Sequence, residues 1–342
     1  MFGGGSKKTN SSTKKNGKIK NVPIVIKMQP VTESLKATML SDMTEMPTVE
    51  LGNYTLQIEL DELKPEVKEI ARKELRETPD VAREAVKELR ELLKEETDLN
   101  IPLENDLWLT RFLRPTKFYP ESARDLIKRY YAFKKKHNNM YENLSPSSER
   151  NIFQQNILTV QPNRDQFGRR ILIIELGKKW KTDKVSLDEV FKGCVLFLEA
   201  AMLEPETQVC GAVVIFDMDG LSLGQTTKFT PSFAGRIVDW LQDSVPLRIK
   251  NIHIVNQPYI FKMVFALFKP FLREKLRNRI IFHGTDRKSL HQHMDPACLP
   301  ECYGGTLDLP RIEGPQWLEL LEKCDPEFKA INSYGYPKKV SK

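Results

Sequence analysis

The chain has 342 residues, with 53 Lys and Arg against 46 Asp and Glu, which gives a formal net charge of +7. Seven of the lysines lie in residues 1–30, which contain no acidic residue, so the chain from Val31 onward is formally neutral. A neutral body with five cysteines argues against a nucleic-acid-binding domain and against a secreted disulfide scaffold. We expect reduced thiols, no secretion signal and a cytoplasmic location.

The first two segments differ sharply in composition. Residues 1–58 are rich in Gly, Ser, Thr, Asn and Lys and show little periodicity, which predicts a disordered basic tail. Residues 59–143 are predicted to form an all-helical domain. Pro65 suits a first helical turn, Thr78-Pro79-Asp80 separates two helices, and Val81, Ala85, Leu89 and Leu92 recur every three to four residues.

Residues 144–310 change to an α/β pattern. Four apolar runs rich in β-branched residues predict strands at Ile171 to Leu176, Ala212 to Asp217, Ile249 to Val255 and Ile280 to His283. Helical patterns separate them, at Leu187 to Leu203, Pro231 to Leu241 and Tyr259 to Phe268. Continuous apolar strands alternating with helices predict a mainly parallel sheet covered by helices. Residues 311–342 are predicted to form one short helix, Gln316 to Lys323, and a surface tail.

A basic segment surrounds the third of these helices. Between Val245 and Arg279, eight Lys and Arg residues oppose the single acid Glu274. Tyr259 to Phe268, in their midst, is apolar on almost every face yet far shorter than the roughly 20 residues that a bilayer span needs. An apolar helix flanked by cations indicates a surface that meets lipid and phosphate.

Two motifs suggest other chemistry. The strand end with Asp217 and Asp219 resembles the acid pair of haloacid-dehalogenase-type phosphatases, but no later pair of acids supplies a magnesium site. His291, His293, Cys298 and Cys302 are zinc-ligand types, but their spacing fits no standard site. We therefore expect no catalytic residues, no metal and no cofactor.

Five segments carry a resemblance to a known family: Leu107 to Ile127, Gly211 to Gly220, Leu241 to Pro258, Lys269 to Gly284 and Leu299 to Leu307. Together they resemble the CRAL-TRIO lipid-binding family, in particular the branch that holds α-tocopherol transfer protein, cellular retinaldehyde-binding protein and the clavesins. The resemblance covers about Asp61 to Leu309. It implies a helical N-terminal domain, an α/β domain with an internal apolar pocket under a movable lid helix, and lipid transfer without catalysis.

The resemblance also implies site residues. The hydrophobic ligand is expected to contact Phe191, Cys194, Val195, Leu198, Phe216, Leu221, Leu223, Ile237, Leu241, Leu247, Ile249 and Ile252, and the lid residues Val264, Leu267, Phe268 and Leu272. Where tocopherol-binding members place small hydroxyl side chains, this chain has Cys194 and Leu198.

Four basic residues are expected to bind phosphoinositides. Arg248, Lys250, Lys275 and Arg279 match the family's phosphoinositide-binding patch. The implied partners are a lipid and phosphatidylinositol bisphosphate in endosomal or plasma membranes, with no nucleic acid, and the chain is expected to be a monomer. Three functions stay open on the sequence: a lipid-transfer protein, a phosphoinositide-binding trafficking adaptor without bulk transfer, and a phosphatase that uses Asp217 and Asp219.

Overall fold

A small antiparallel sheet forms near the start of the computed structural model, which describes residues 24–337. Its order is β1-β2-β3, and its elements are β1 (Val25–Pro30), α1 (Glu33–Lys36), β2 (Glu45–Leu51) and β3 (Tyr54–Leu56). The prediction of a disordered tail over 1–58 is therefore wrong for residues 24–58, and residues 1–23 lie outside the described part. Val49 and Leu51 on β2 are buried, because a C-terminal helix described below packs on this strand. A partner so distant in the chain leaves no local sequence signal.

A set of helices follows, as the sequence predicts. Its members are α2 (Pro65–Leu75), α3 (Pro79–Lys94), α4 (Asp106–Leu113), α5 (Pro120–Lys136), α6 (Asn138–Tyr141) and α7 (Arg150–Gln154). The side chain of Thr78 accepts a hydrogen bond from the Val81 amide and caps α3, whose first turn contains Pro79. The apolar stripe of α3 is buried through Ala85, Leu89 and Leu93. Helices α3, α4 and α5 pack on one another, and with α2, which contacts α9, they form a helical layer beside the α/β part.

The central sheet has five strands in the order β4-β5-β6-β7-β8. They are β4 (Leu158–Arg164), β5 (Arg170–Glu175), β6 (Ala212–Asp217), β7 (Ile249–Val255) and β8 (Ile280–Gly284). Strands β5 to β8 pair in parallel, which confirms the mainly parallel sheet, and β4 pairs antiparallel to β5. Strand β4 has no clear sequence signal, because Gln161, Pro162 and Asn163 interrupt its apolar pattern at the sheet edge.

Helices cover both faces of this sheet. They are α8 (Leu187–Leu203), α9 (Pro205–Cys210), α10 (Leu223–Thr226), α11 (Pro231–Asp239), α12 (Phe261–Phe268), α13 (Glu274–Arg277) and α14 (Arg287–His291). Alternate strand residues face opposite sides. Ile171, Ile173, Val213 and Ile215 pack in a small core with Leu290 of α14. The intervening residues face α8, α11 and α12, where the candidate site lies.

Two C-terminal helices complete the described chain, α15 (Gly314–Glu322) and α16 (Asp325–Ser333). The expected surface tail is wrong for α16, whose Glu327 and Phe328 are fully buried. The carboxylate of Glu327 accepts hydrogen bonds from the amides of Leu40 and Ser41, so α16 fastens the N-terminal segment that sequence analysis treated as a tail. Among residues 24–337, no helix is both long and apolar enough to cross a bilayer.

Candidate functional site

An apolar cavity of about 200 Å³ lies between the central sheet and helices α8, α11 and α12. The sheet supplies its floor through the side chains that alternate toward these helices, among them Leu172, Val214 and Ile252. Val190 and Phe191 of α8 and Ile237 of α11 form its walls. Aliphatic and aromatic side chains at nearly every position of the wall make a space suited to hydrocarbon.

Twelve of the sixteen residues predicted to contact a ligand line this cavity: Phe191, Cys194, Leu198, Phe216, Ile237, Leu241, Leu247, Ile249, Ile252, Val264, Phe268 and Leu272. Four do not. Val195 and Leu221 are buried elsewhere in the core, Leu267 is half-buried outside the cavity wall, and Leu223 is 59% exposed. Their direct contact with a ligand stays a prediction, as it does for the other twelve.

Two cavity residues come from segments that were predicted to lie outside the lipid-binding domain. Ile58 follows the N-terminal sheet, and Trp317 belongs to α15. The Trp317 Nε1 donates to the Val160 carbonyl at 3.0 Å, which holds this ring against strand β4. No pattern around either residue marks a cavity, because only the folded chain brings both ends of the sequence to the sheet.

A buried ion pair also stands in the wall of the cavity. Arg170 Nε donates to Glu204 Oε2 at 2.9 Å, and its Nη2 donates to Glu204 Oε1 at 2.7 Å. Thr207 and Arg164 donate to the same carboxylate at 2.6 and 3.2 Å. Burial by itself raises the pKa of Glu204, but the two arginines outweigh it and lower that pKa to about 2. The carboxylate is thus occupied by protein donors. The sequence gives no sign of this ion pair, because its partners are distant in the chain.

Helix α12 covers the cavity with one face. The inward stripe of this helix consists of Phe261, Val264, Phe265 and Phe268, which line the cavity. The Phe268 ring lies 6.4 Å from the Phe229 ring and 6.5 Å from that of Phe233, between centroids, so aromatic contacts close the gap toward α11.

The opposite face of α12 is apolar and exposed. Tyr259, just before the helix, is 83% exposed, and Met263 is 60% exposed. Lys262 lies over the Tyr259 ring at 4.3 Å from the centroid, and Lys269 is exposed at the other end. Large apolar side chains in water are unfavourable unless another surface covers them.

The four predicted phosphoinositide-binding residues do not form one free patch. Arg248 Nη2 and Lys250 Nζ lie 2.5 and 3.0 Å from Glu74 Oε2, on α2. Arg279 donates to the Ile249 carbonyl at 2.6 Å, and burial together with the nearby Arg248 lowers its pKa. Lys275 is exposed on α13. Arg248, Lys250 and Arg279 therefore cluster at the start of β7. The carboxylate of Glu74, from the helical layer, already forms ion pairs with the first two.

The acid motif after β6 has a structural explanation. Asp217 Oδ1 accepts hydrogen bonds from the Asp219 amide and the Asn256 side chain, each at 2.9 Å. Its Oδ2 accepts one from the Tyr303 hydroxyl at 3.0 Å. Asp219 pairs with Lys178 at 2.6 Å. Asp217 thus ties the ends of β6 and β7 to the turn around Tyr303.

The residues of the zinc motif are not brought together. His293 lies near His253 and His283, whose rings share a hydrogen bond of 2.9 Å from Nδ1 to Nε2, whereas the Nε2 of His291 lies 3.0 Å from the Tyr303 carbonyl. Burial lowers the pKa of His253 to about 3 and that of His283 to about 4. Residues 24–337 contain no cluster of three or more His, Cys, Asp or Glu arranged to hold a metal ion.

Comparisons with known proteins identify the family. A family model described as the CRAL/TRIO domain matches residues 154–305. Clavesin-1 of Pongo abelii is 33% identical over 277 residues, which cover 80% of this chain and 77% of that protein. An alpha-tocopherol transfer protein-like protein of Mus musculus is 35% identical over 276 residues, 78% of this chain and 80% of that one.

One solved structure, titled Crystal structure of Sfh5, matches with 18% identity and a TM-score of 0.40, covering 73% of this chain and 91% of that chain. The sequence relatives, at more than 30% identity over most of both chains, establish the family that the motifs predicted. This chain belongs to the CRAL/TRIO family.

Proposed function

We propose that this protein carries a hydrophobic lipid in the cavity under α12 and exchanges it at membranes that contain phosphoinositides. The observation that carries the proposal is the cavity itself, whose wall is apolar at nearly every position. The name of the alpha-tocopherol transfer protein-like relative points in the same direction. The side chains of Cys194 and Leu198 offer no hydroxyl to a ligand's polar group, which favours a largely hydrocarbon ligand over tocopherol.

Tight apolar binding makes a gate necessary. A lipid that buries about 400 Å² of apolar surface gains about 10 kcal/mol, so spontaneous release is slow. Helix α12 is suited to opening, because it has eight residues, lacks a side-chain cap at its N-terminus and contacts α11 through aromatic rings rather than ion pairs. Its exposed Tyr259 and Met263 gain free energy on entering a bilayer, which favours the open state at a membrane.

Basic residues would direct docking. Each free cation near an anionic bilayer contributes about 1 kcal/mol, so the exposed Lys275 supplies about that much, and Arg248 and Lys250 add to it where a headgroup displaces Glu74. Arginine binds phosphate through two parallel hydrogen bonds, so a phosphorylated headgroup concentrates this attraction at one point. Docking of this strength is reversible, as delivery requires.

Ligand identification is the first test. The full chain, purified without detergent, is analysed by native mass spectrometry and its ligand is extracted and identified. We expect an apolar molecule at one copy per chain. An empty chain that also takes up no tocopherol, retinoid or phospholipid contradicts the proposal.

Liposomes test the membrane step. Lys275→Glu together with Arg248→Glu should weaken binding to liposomes that contain phosphatidylinositol bisphosphate and leave ligand affinity unchanged, with the loss greatest at low salt. Lys288→Glu together with Lys323→Glu, at exposed lysines of α14 and at the end of α15, is the charge-matched control. Liposome binding without ligand exchange supports the trafficking adaptor instead.

A further inference from the structure

A second cavity, of about 600 Å³, lies far from α12. It opens between the end of α5, the turn after α6 and the segment that follows α16. Its lining differs in chemistry from that of the first cavity. Lys134, Lys135 and Lys329 contribute three cations, and none of the described residues that line it is acidic. A concave surface lined by one sign of charge attracts ions of the opposite sign.

Lys134 is the unusual member of this group. Its side chain is 9% exposed, and a lysine so buried normally has a close acidic partner. Its polar contacts among the described residues are long, 3.5 Å from Nζ to the Tyr130 hydroxyl and 3.9 Å to Glu199 Oε1. Burial lowers the pKa of this amine. A nearby anion would stabilise its charged form and use its free donors.

Aromatic rings form the rest of the wall. Tyr131 and Tyr141 line the cavity with their ring centroids 5.7 and 5.4 Å from Lys134 Nζ. Such cation–π contacts stabilise the ammonium group but add no oxygen acceptor to the long contacts with Tyr130 and Glu199. Tyr334 and Tyr336 line the other side, and the Tyr336 ring lies 5.4 Å from Lys135 Nζ.

The tyrosine wall is held in place by the backbone. Gly335, between Tyr334 and Tyr336, exchanges two hydrogen bonds with Asn100, of 3.1 and 2.8 Å. Its φ of +127° belongs to the region that favours glycine, and a Cβ there would lie 3.0 Å from the Tyr131 ring. The chain thus presents two tyrosines opposite the lysines in a fixed geometry.

We propose that this cavity is a second ligand site, for a small water-soluble molecule that joins a phosphate group to a planar ring. The three lysines pair with the phosphate, and the tyrosine faces stack on the ring. The site is independent of the lipid cavity. The two are separated by α8, whose Phe191 lines the lipid cavity and packs against Tyr141 at 6.4 Å between ring centroids.

Isothermal titration of the full chain tests the site, with adenosine monophosphate as the probe. Adenosine and inorganic phosphate, the two halves of the probe, are titrated separately. We expect each half to bind about tenfold or more weakly than the whole, since the phosphate and the ring contribute independently. Inorganic phosphate that binds as tightly as the probe contradicts the role of the tyrosines. If the titration gives no heat and dialysis shows no retained probe at concentrations up to about 10 mM, the proposed site does not exist.

Variants locate the binding. Lys135→Gln with Lys329→Gln changes two exposed residues of the rim, so the fold should persist, and the affinity should fall about tenfold. Tyr336→Leu should lower the affinity for the probe but leave the affinity for inorganic phosphate unchanged. Lys136→Gln with Lys323→Gln, at two exposed lysines outside the cavity, is the charge-matched control. Equal losses in the control and the rim variant would show that net charge, not this cavity, binds the probe.

Discussion

Glu74 Oε2 lies 2.5 Å from Nη2 of Arg248, so a carboxylate of the helical layer occupies the guanidinium that would meet a phosphate. The same oxygen lies 3.0 Å from Lys250. Glu74 is about half exposed, which leaves the ion pairs weak enough to be replaced. A phosphorylated headgroup that binds here competes with Glu74.

Neutralising Glu74 should therefore strengthen docking. We expect Glu74→Gln to raise the affinity for liposomes containing phosphatidylinositol bisphosphate a few-fold, about 1 kcal/mol, at low salt and less at high salt. Cosedimentation measures the change. Glu69→Gln is a matched control, because Glu69 is on the same helix and similarly exposed but pairs with Arg72 and Lys73. Equal gains in both variants would assign the effect to net charge.

The two faces of α12 should have separable roles. Phe268→Ala removes a ring from the cavity wall, and the loss of about 1.5 to 3 kcal/mol of apolar burial should speed ligand escape about tenfold or more in solution. Met263→Ser changes the exposed face and should slow transfer between liposomes while the off-rate in solution stays the same. Stopped-flow fluorescence follows both rates. If neither variant changes either rate, α12 is ordinary packing and the gate lies elsewhere.

The thiol of Cys194 offers a direct report on opening of the gate. Cys194 lines the cavity, and burial raises the pKa of its thiol to about 12, so a closed protein should react slowly with iodoacetamide at pH 8. Phosphoinositide liposomes should speed this reaction if α12 opens on them. Cys324, whose buried thiol also has a pKa raised to about 12 but lies outside the cavity, is the internal control in the mass spectra. Faster modification of both thiols would indicate general unfolding.

The ion pair in the cavity wall should make stability depend on pH. Glu204→Gln leaves the buried Arg170 with Glu59 as its remaining carboxylate and should lower the free energy of unfolding by about 3 kcal/mol at pH 7. Glu204 has its pKa lowered from 4.5 to about 2 in the folded chain. Its stabilising contribution is therefore complete above pH 4.5 and is lost as the pH falls from 4.5 toward 2.

Urea titrations should thus show that the difference in free energy of unfolding between the parent and Glu204→Gln is large at pH 7 and smaller near pH 3.5. Glu206→Gln is the control, since Glu206 makes only long contacts of 3.5 and 3.7 Å to Arg164 and Lys64. If this difference in free energy is the same at both pH values, the charge of Glu204 does not stabilise the fold.

Much of the α/β architecture followed from local patterns. The strands Ala212–Asp217 and Ile249–Val255 and the helix Leu187–Leu203 have the predicted bounds, because each is a continuous apolar or helical run with clear ends. The alternation of strand residues toward two faces also explains why Phe216 and Ile252 line the cavity. Strand β4 was not predicted, because Gln161, Pro162 and Asn163 interrupt its apolar pattern.

The basic cluster was recognised only in part. The sequence shows that Arg248, Lys250, Lys275 and Arg279 are cations close together along the chain. Glu74 of the distant helix α2 pairs with Arg248 and Lys250, and Arg279 folds back onto the Ile249 carbonyl within the segment. These contacts determine which of the cations are available to a phosphate. The lysines of the second cavity were not predicted for the same reason, since Lys329 and Lys134 line one cavity only in the folded chain.

The sequence by itself determined the family, the order of strands β5 to β8 with the helices α8, α11 and α12 between them, and the apolar character of α12, because these depend on residue type and local spacing. Only the tertiary structure decided which stripe of α12 faces the cavity, that residues 24–58 form strands, and that Glu327 fastens them. Those features depend on burial and on charge partners tens to hundreds of residues away, and burial is a property of the assembled chain.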